Sequence, residues 1–109
     1  MHRIDINEAD WKLYRSRITN WQESYMERLC QEYAAVLTSD KNASDRFWEI
    51  FDRIKVDSIK TGVIARNARS SMISNIVKLL QEGAITDTDL EGFSDELIER
   101  VKFIENNMG

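Results

Sequence analysis

A chain of 109 residues, 42% hydrophobic and 31% charged, is long enough for one folded domain and too apolar for a disordered tail. Its net charge of −4 gives no overall pull toward nucleic acid or acidic membranes. No apolar run approaches the roughly 20 residues that cross a bilayer. The single cysteine, Cys30, excludes an internal disulfide, and the chain opens without an apolar leader, so the expectation is a reduced, cytoplasmic protein. There is no proline and there are only four glycines. Proline breaks helices because it lacks the N–H and clashes with the preceding turn, so this chain is free to be helical nearly throughout.

The first helix is expected from about Glu8 to Leu37, capped by Asn7 with Asp10 three residues on. Apolar residues recur at Trp11, Tyr14, Ile18, Trp21, Tyr25, Leu29, Tyr33 and Val36, in steps of three or four that keep one stripe on one face. Thr19-Asn20-Trp21-Gln22 also spells a helix start, but continuity is favoured because no apolar pair flanks it as a staple. A polar loop from Thr38 to Ala43 follows. The second helix is expected from about Ser44 to Lys60, with Phe47, Phe51, Ile54 and Ser58 facing inward and Trp48 beside them. Gly62 is expected to end it in the left-handed conformation.

A third helix is expected from Val63 or Ala65 to Glu82, its inner face Ala65, Ala68, Met72, Ile76, Leu79 and Leu80, widened by Ile73 and Val77. Gly83 stops it. Thr86 then caps a short helix, with Asp89 as box partner and Ile85 stapled to Leu90, ending at Gly92. Ser94 caps the last helix, with Phe93 stapled toward Ile98 and Leu97, Ile98, Val101 and Ile104 inward. No segment alternates as a strand does. The predicted fold is all-α: one domain, a compact bundle of four to five helices with a long N-terminal helix.

The residues needed for catalysis are missing from this pattern. His2 is the only histidine and stands at the chain start, Cys30 has no evident base and reads as a small, partly buried residue, and no phosphate loop or metal-spaced Cys/His set occurs. Glu82 to Leu90 is similar to the second half of a calcium EF-hand loop, but Lys78 and Leu80 stand where oxygen ligands are required. The expectation is a non-catalytic protein with no cofactor and no metal.

Two surfaces are candidates for binding. From Arg53 to Lys78 six basic residues face one acidic residue, whereas Glu82 to Glu105 holds eight acidic and two basic. Within the basic stretch, Arg69-Ser70-Ser71-Met72-Ile73-Ser74-Asn75-Ile76-Val77-Lys78-Leu79-Leu80-Gln81-Glu82-Gly83-Ala84-Ile85 resembles the recognition helix of winged-helix regulators. That resemblance implies a DNA-binding transcriptional regulator with a helix-turn-helix-like segment at 53–85. Arg66, Arg69, Ser70, Ser74 and Lys78 would then touch phosphates and base edges. The other surface is the start of the first helix. A helix of 30 residues is about 45 Å long, more than the roughly 35 Å across a globule of this length, so part of it must curve or project. If the N-terminal turn projects, Trp11 and Tyr14 become an exposed apolar anchor for a partner, another protein or a second copy of the chain. The favoured expectation is a small protein-interaction module, self-associating through that turn, with no membrane partner. DNA binding is the alternative. An immunity or antitoxin-like role is a weaker one, resting on analogy of size, acidity and class alone.

Overall fold

The computed structural model describes residues 6–64 and 68–107, and among these it contains helices and turns but no strand. The first helix, α1, spans Glu8–Leu37. Asn7 lies in extended backbone and its Oδ1 accepts the Ala9 N–H at 2.8 Å, satisfying one of the orphan donors of the first turn. The helix runs unbroken through Thr19 and Asn20, both exposed, because the buried series Tyr14, Ile18, Trp21, Tyr25 and Leu29 holds one face down across them. It ends where Thr38 Oγ1 turns back to donate to the Ala34 carbonyl at 2.9 Å.

The second helix, α2, spans Ala43–Asp57 and lies against the C-terminal part of α1 as the second limb of a helical hairpin. The third, α3, is a single turn, Thr61–Ile64. The fourth, α4, spans Met72–Gln81, and the fifth, α5, spans Asp95–Asn107. Two 3-10 turns, Arg69–Ser71 and Asp87–Leu90, lead into α4 and connect it to α5.

The main core is assembled from three helices. Tyr14, Ile18 and Trp21 of α1, Met72, Ile76, Val77 and Leu79 of α4, and Leu97 and Val101 of α5 meet there, with Ile85, Leu90 and Phe93 from the connection between α4 and α5. Helix α2 contributes nothing to it. The molecule is accordingly elongated, 55 × 27 × 22 Å, with a radius of gyration of 16.7 Å, where about 13 Å is usual for this length.

The expected ending of the chain is present residue by residue. Gly83 takes φ +75° and the Ala84 N–H returns to the Leu79 carbonyl at 2.9 Å, closing α4. Thr86 N–H donates to Asp89 Oδ2 at 2.8 Å, while Ile85 and Leu90 are both buried as the staple requires. Gly92 turns the chain at φ +96°, and Ser94 Oγ accepts the Leu97 N–H at 3.2 Å to cap α5.

Three expectations are corrected. The expected third helix is broken. Ala68 is extended at φ −95° and ψ 134°, so Met72 begins a new helix, and Ala68 is exposed instead of inward; Ala65, also expected inward, lies outside the described residues. Gly62 is not a left-handed stop, since it lies inside α3. A glycine is needed there for a different reason: a Cβ would stand 2.4 Å from Tyr25 Cδ2, so α3 approaches α1 closely only without one. Two backbone N–H groups at the start of α3, those of Thr61 and Gly62, donate to the Glu82 carboxylate at 2.8 and 3.0 Å, so the end of α4 caps α3 from a distance in sequence. The third correction concerns the face that α2 turns inward, and it defines the candidate site.

Candidate interaction surface

Along α2, Arg46, Ile50, Arg53 and Asp57 recur in steps of four, three and four and are the residues turned toward α1, all of them partly or fully buried. The seam they make is mostly polar. Arg53 Nη2 donates to Glu32 Oε1 at 2.5 Å, and its guanidinium lies 5.2 Å from the centre of the Tyr33 ring. Tyr33 Oη donates to Asp57 Oδ2 at 2.5 Å, and Lys60 Nζ stands 3.1 Å from Asp57 Oδ1. Arg46 closes the tip of the hairpin by donating to the carbonyls of Leu37 and Lys41 at 2.6 and 3.0 Å. Among the described residues no buried side-chain nitrogen or oxygen lacks a partner.

This network sets the titration of its members. Burial pushes the Tyr33 hydroxyl up to about 12, helped by its hydrogen bond to the Asp57 carboxylate. Burial also raises Asp57, but the hydrogen bonds from Tyr33 and Lys60 and the nearby positive charges outweigh it, holding the carboxyl below its ordinary value. Asp57 is therefore ionised, as a carboxylate that anchors α2 must be.

The apolar face of α2 points elsewhere. Phe47, Phe51, Ile54 and Ser58 repeat the same four-three-four spacing, rotated by about a third of a turn from the seam. Phe47 is 61% exposed, Trp48 57%, and Phe51 and Ile54 46% each. The expectation that this stripe packs inward is overturned, because the positions facing α1 are taken by residues that pair with Glu32 and Tyr33. The three rings stand edge to face, Phe47 to Trp48 at 5.1 Å and Trp48 to Phe51 at 5.5 Å, forming one continuous aromatic surface. Taking such a side chain from exposed to buried gains about 1.5–3 kcal/mol, and roughly half of that remains for each of these half-covered residues.

Beside the stripe lies an apolar groove of about 360 Å³ between α1, α2 and α3. Met26, Cys30 and Tyr33 of α1 line one wall, and Ile54, Ser58 and Val63 belong to the other. Cys30, expected to be partly buried, is exposed here. A second hollow of about 250 Å³ lies between the start of α1 and the α4 and α5 helices. Its most buried polar group is already paired: Asp10 Oδ1 accepts the Ser94 N–H at 2.8 Å and Asp10 Oδ2 accepts the Ser94 hydroxyl at 2.6 Å. Asp10, three residues after the Asn7 cap, is not spent on that cap. It ties α1 to the start of α5 instead.

The sequence-predicted site residues fall outside this surface. Tyr14 is 0% exposed, its hydroxyl accepting from Asn75 Nδ2 at 3.1 Å, so it is a core residue and no anchor for a partner. Trp11 is half-buried, stacked on Tyr14 at 5.9 Å, with the guanidinium groups of Arg15 and Arg69 each 5.8 Å from its ring centre. The projecting part of α1 is its C-terminal end, not its start, because α4 and α5 pack on the first half. Arg66 lies outside the described residues. Arg69 is exposed and paired with Glu8 at 2.6 Å. Ser70 is exposed in the 3-10 turn before α4, and Ser74 and Lys78 are exposed on α4 itself, with Ser74 Oγ donating to the Ser71 carbonyl at 3.1 Å. Of the other cations in the basic stretch, Arg53 pairs with Glu32 and Lys60 with Asp57.

No family model, curated protein or solved structure matches the chain. Among the described residues no three His, Cys, Asp or Glu side chains are grouped as a metal ion would require, and no helix is long and apolar enough to cross a membrane.

Proposed function

We propose that the protein is a non-catalytic interaction module whose docking surface is the hairpin of α1 and α2. The observation that carries this reading is the aromatic face of Phe47, Trp48 and Phe51, continuous and exposed on a helix that is anchored by its other side. Aromatic side chains are enriched among the residues that dominate binding energy, and the largest exposed apolar patch of a protein, several hundred Å² in area, is often functional. The mode is burial of an amphipathic helix face against another helix. The alternative, a DNA-binding regulator, has the outward line of Ser70, Ser74 and Lys78 in its favour, but three of its stretch's cations are already neutralised by carboxylates.

A photo-crosslinking amino acid placed at Phe51, and separately at exposed Lys12 on the opposite end of α1, tests the reading in cells. A discrete protein adduct from position 51 and none from position 12 is the expected result. Equal labelling from both positions, or none from 51, overturns it.

A further inference from the structure

The two limbs of the hairpin carry matching seams. On α1, Met26, Cys30, Tyr33 and Leu37 follow steps of four, three and four, and on α2 Phe47, Phe51, Ile54 and Ser58 do the same. That is the spacing of the seam in left-handed coiled coils and four-helix bundles. Both seams border one groove, since Met26, Cys30, Tyr33, Ile54 and Ser58 all line it. The hairpin is thus one open layer of a bundle. A helical layer with a single apolar side is stable when a second layer covers it.

We infer that the second layer is the same hairpin from a second copy of this chain, the two hairpins closing an antiparallel four-helix bundle across a two-fold axis. The inference rests on the reading of the hairpin as the docking surface. Area supports it. With about 150–250 Å² for a whole aromatic side chain, the exposed parts of Phe47, Trp48 and Phe51, with those of Leu37 and Ile54, leave on the order of 500 Å² of apolar surface. A standard interface removes about 800 Å² per partner, roughly 65% of it apolar in homodimers, which comes to the same order. Shape supports it too. The main core lies toward one end of a molecule 55 Å long and only 27 × 22 Å across, so an antiparallel copy places the two cores at opposite ends, clear of each other. A two-fold interface needs a surface that complements itself, and two seams of identical spacing on antiparallel helices meet that condition.

Sedimentation equilibrium on the purified chain tests the inference. Twice the 12.8 kDa chain mass is expected, with a dissociation constant raised at least about thirtyfold by Phe51→Asp, the effect of losing a central anchor. The variant should keep its helical circular dichroism, because Phe51 is outside the core. A second readout needs no substitution: alkylation of Cys30 should slow as the protein concentration rises, since dimerisation covers the groove. A chain that stays monomeric at millimolar concentration overturns the inference, as does a dimer indifferent to Phe51→Asp or a Cys30 reactivity independent of concentration. A monomer that still gives a crosslinked adduct of different mass from position 51 leaves the interaction reading standing and removes only the second copy as occupant.

Discussion

The two ends of the molecule are held together by different forces. Around α4 and α5 the helices meet mainly through wholly buried side chains such as Ile76, Leu79 and Val101, with one buried hydrogen bond, Asn75 to Tyr14, among them. At the hairpin, α2 is fastened to α1 by Glu32, Tyr33, Arg53 and Asp57, and its stripe of Phe47, Trp48, Phe51 and Ile54 remains exposed. Apolar burial is non-directional and is not subject to charge screening, whereas a half-exposed ionic seam is directional and worth little by itself. A helix held by a seam of that kind keeps its apolar face available for something else. The contrast separates the part of the chain that stabilises the fold from the part that offers a surface.

The largest expected effect lies in the core. Leu79→Ala removes a side chain with no exposure and should cost about 2–5 kcal/mol in urea unfolding, whereas Phe51→Ala, measured at high dilution, should cost less than about 1 kcal/mol. Equal losses at the two positions would erase the distinction between the ends. Next comes the joint between them. Gly62→Ala forces a methyl group against the Tyr25 ring and should cost about 1–3 kcal/mol by overpacking, read as a lower urea midpoint with unchanged slope. A variant as stable as the parent would show that α3 does not need this close approach. Asp10→Ala, which leaves the Ser94 N–H and hydroxyl without their partner, should cost about 1–3 kcal/mol and fray the start of α5 in hydrogen exchange.

The smallest effect belongs to the seam and depends on pH. The Tyr33 hydroxyl, raised to about 12, stabilises the hairpin fully below the unfolded value near 10, and this contribution is lost as pH rises from there through 12. Asp57, held below its ordinary value, contributes above that value, and its contribution is lost as pH falls through the lowered one. Burial raises the Tyr14 hydroxyl as well, so in an alkaline titration the tyrosinate absorbance lost on Tyr33→Phe, parent minus variant, should be a late step well above the ordinary phenol range. A Tyr33 step near the ordinary value of 10 would mean that the seam does not form.

Much of this fold is legible in the sequence. The bounds of α1, the stops at Gly83 and Gly92 and the caps at Thr86 and Ser94 are local, since each depends on side chains within a few residues of the backbone group they satisfy. The break at Ala68 was not legible, because the helical spacing on either side continues across it. The candidate site was half legible. The stripe of Phe47, Phe51 and Ile54 is plain in the spacing, but its direction is not. The second stripe, Arg46, Ile50, Arg53 and Asp57, was the available sign, and only the positions of Glu32 and Tyr33 on a neighbouring helix reveal why it faces inward.

The sequence by itself determined an all-α chain, its long first helix and the capped turns at its end, because helical periodicity and capping are short-range. Only the tertiary structure decided which half of α1 is covered, that Tyr14 is core, and that the aromatic face of α2 is left outside. An amphipathic pattern says that a face needs burial. Which neighbour buries it, or whether one within the same chain does, depends on pairings between residues far apart in sequence.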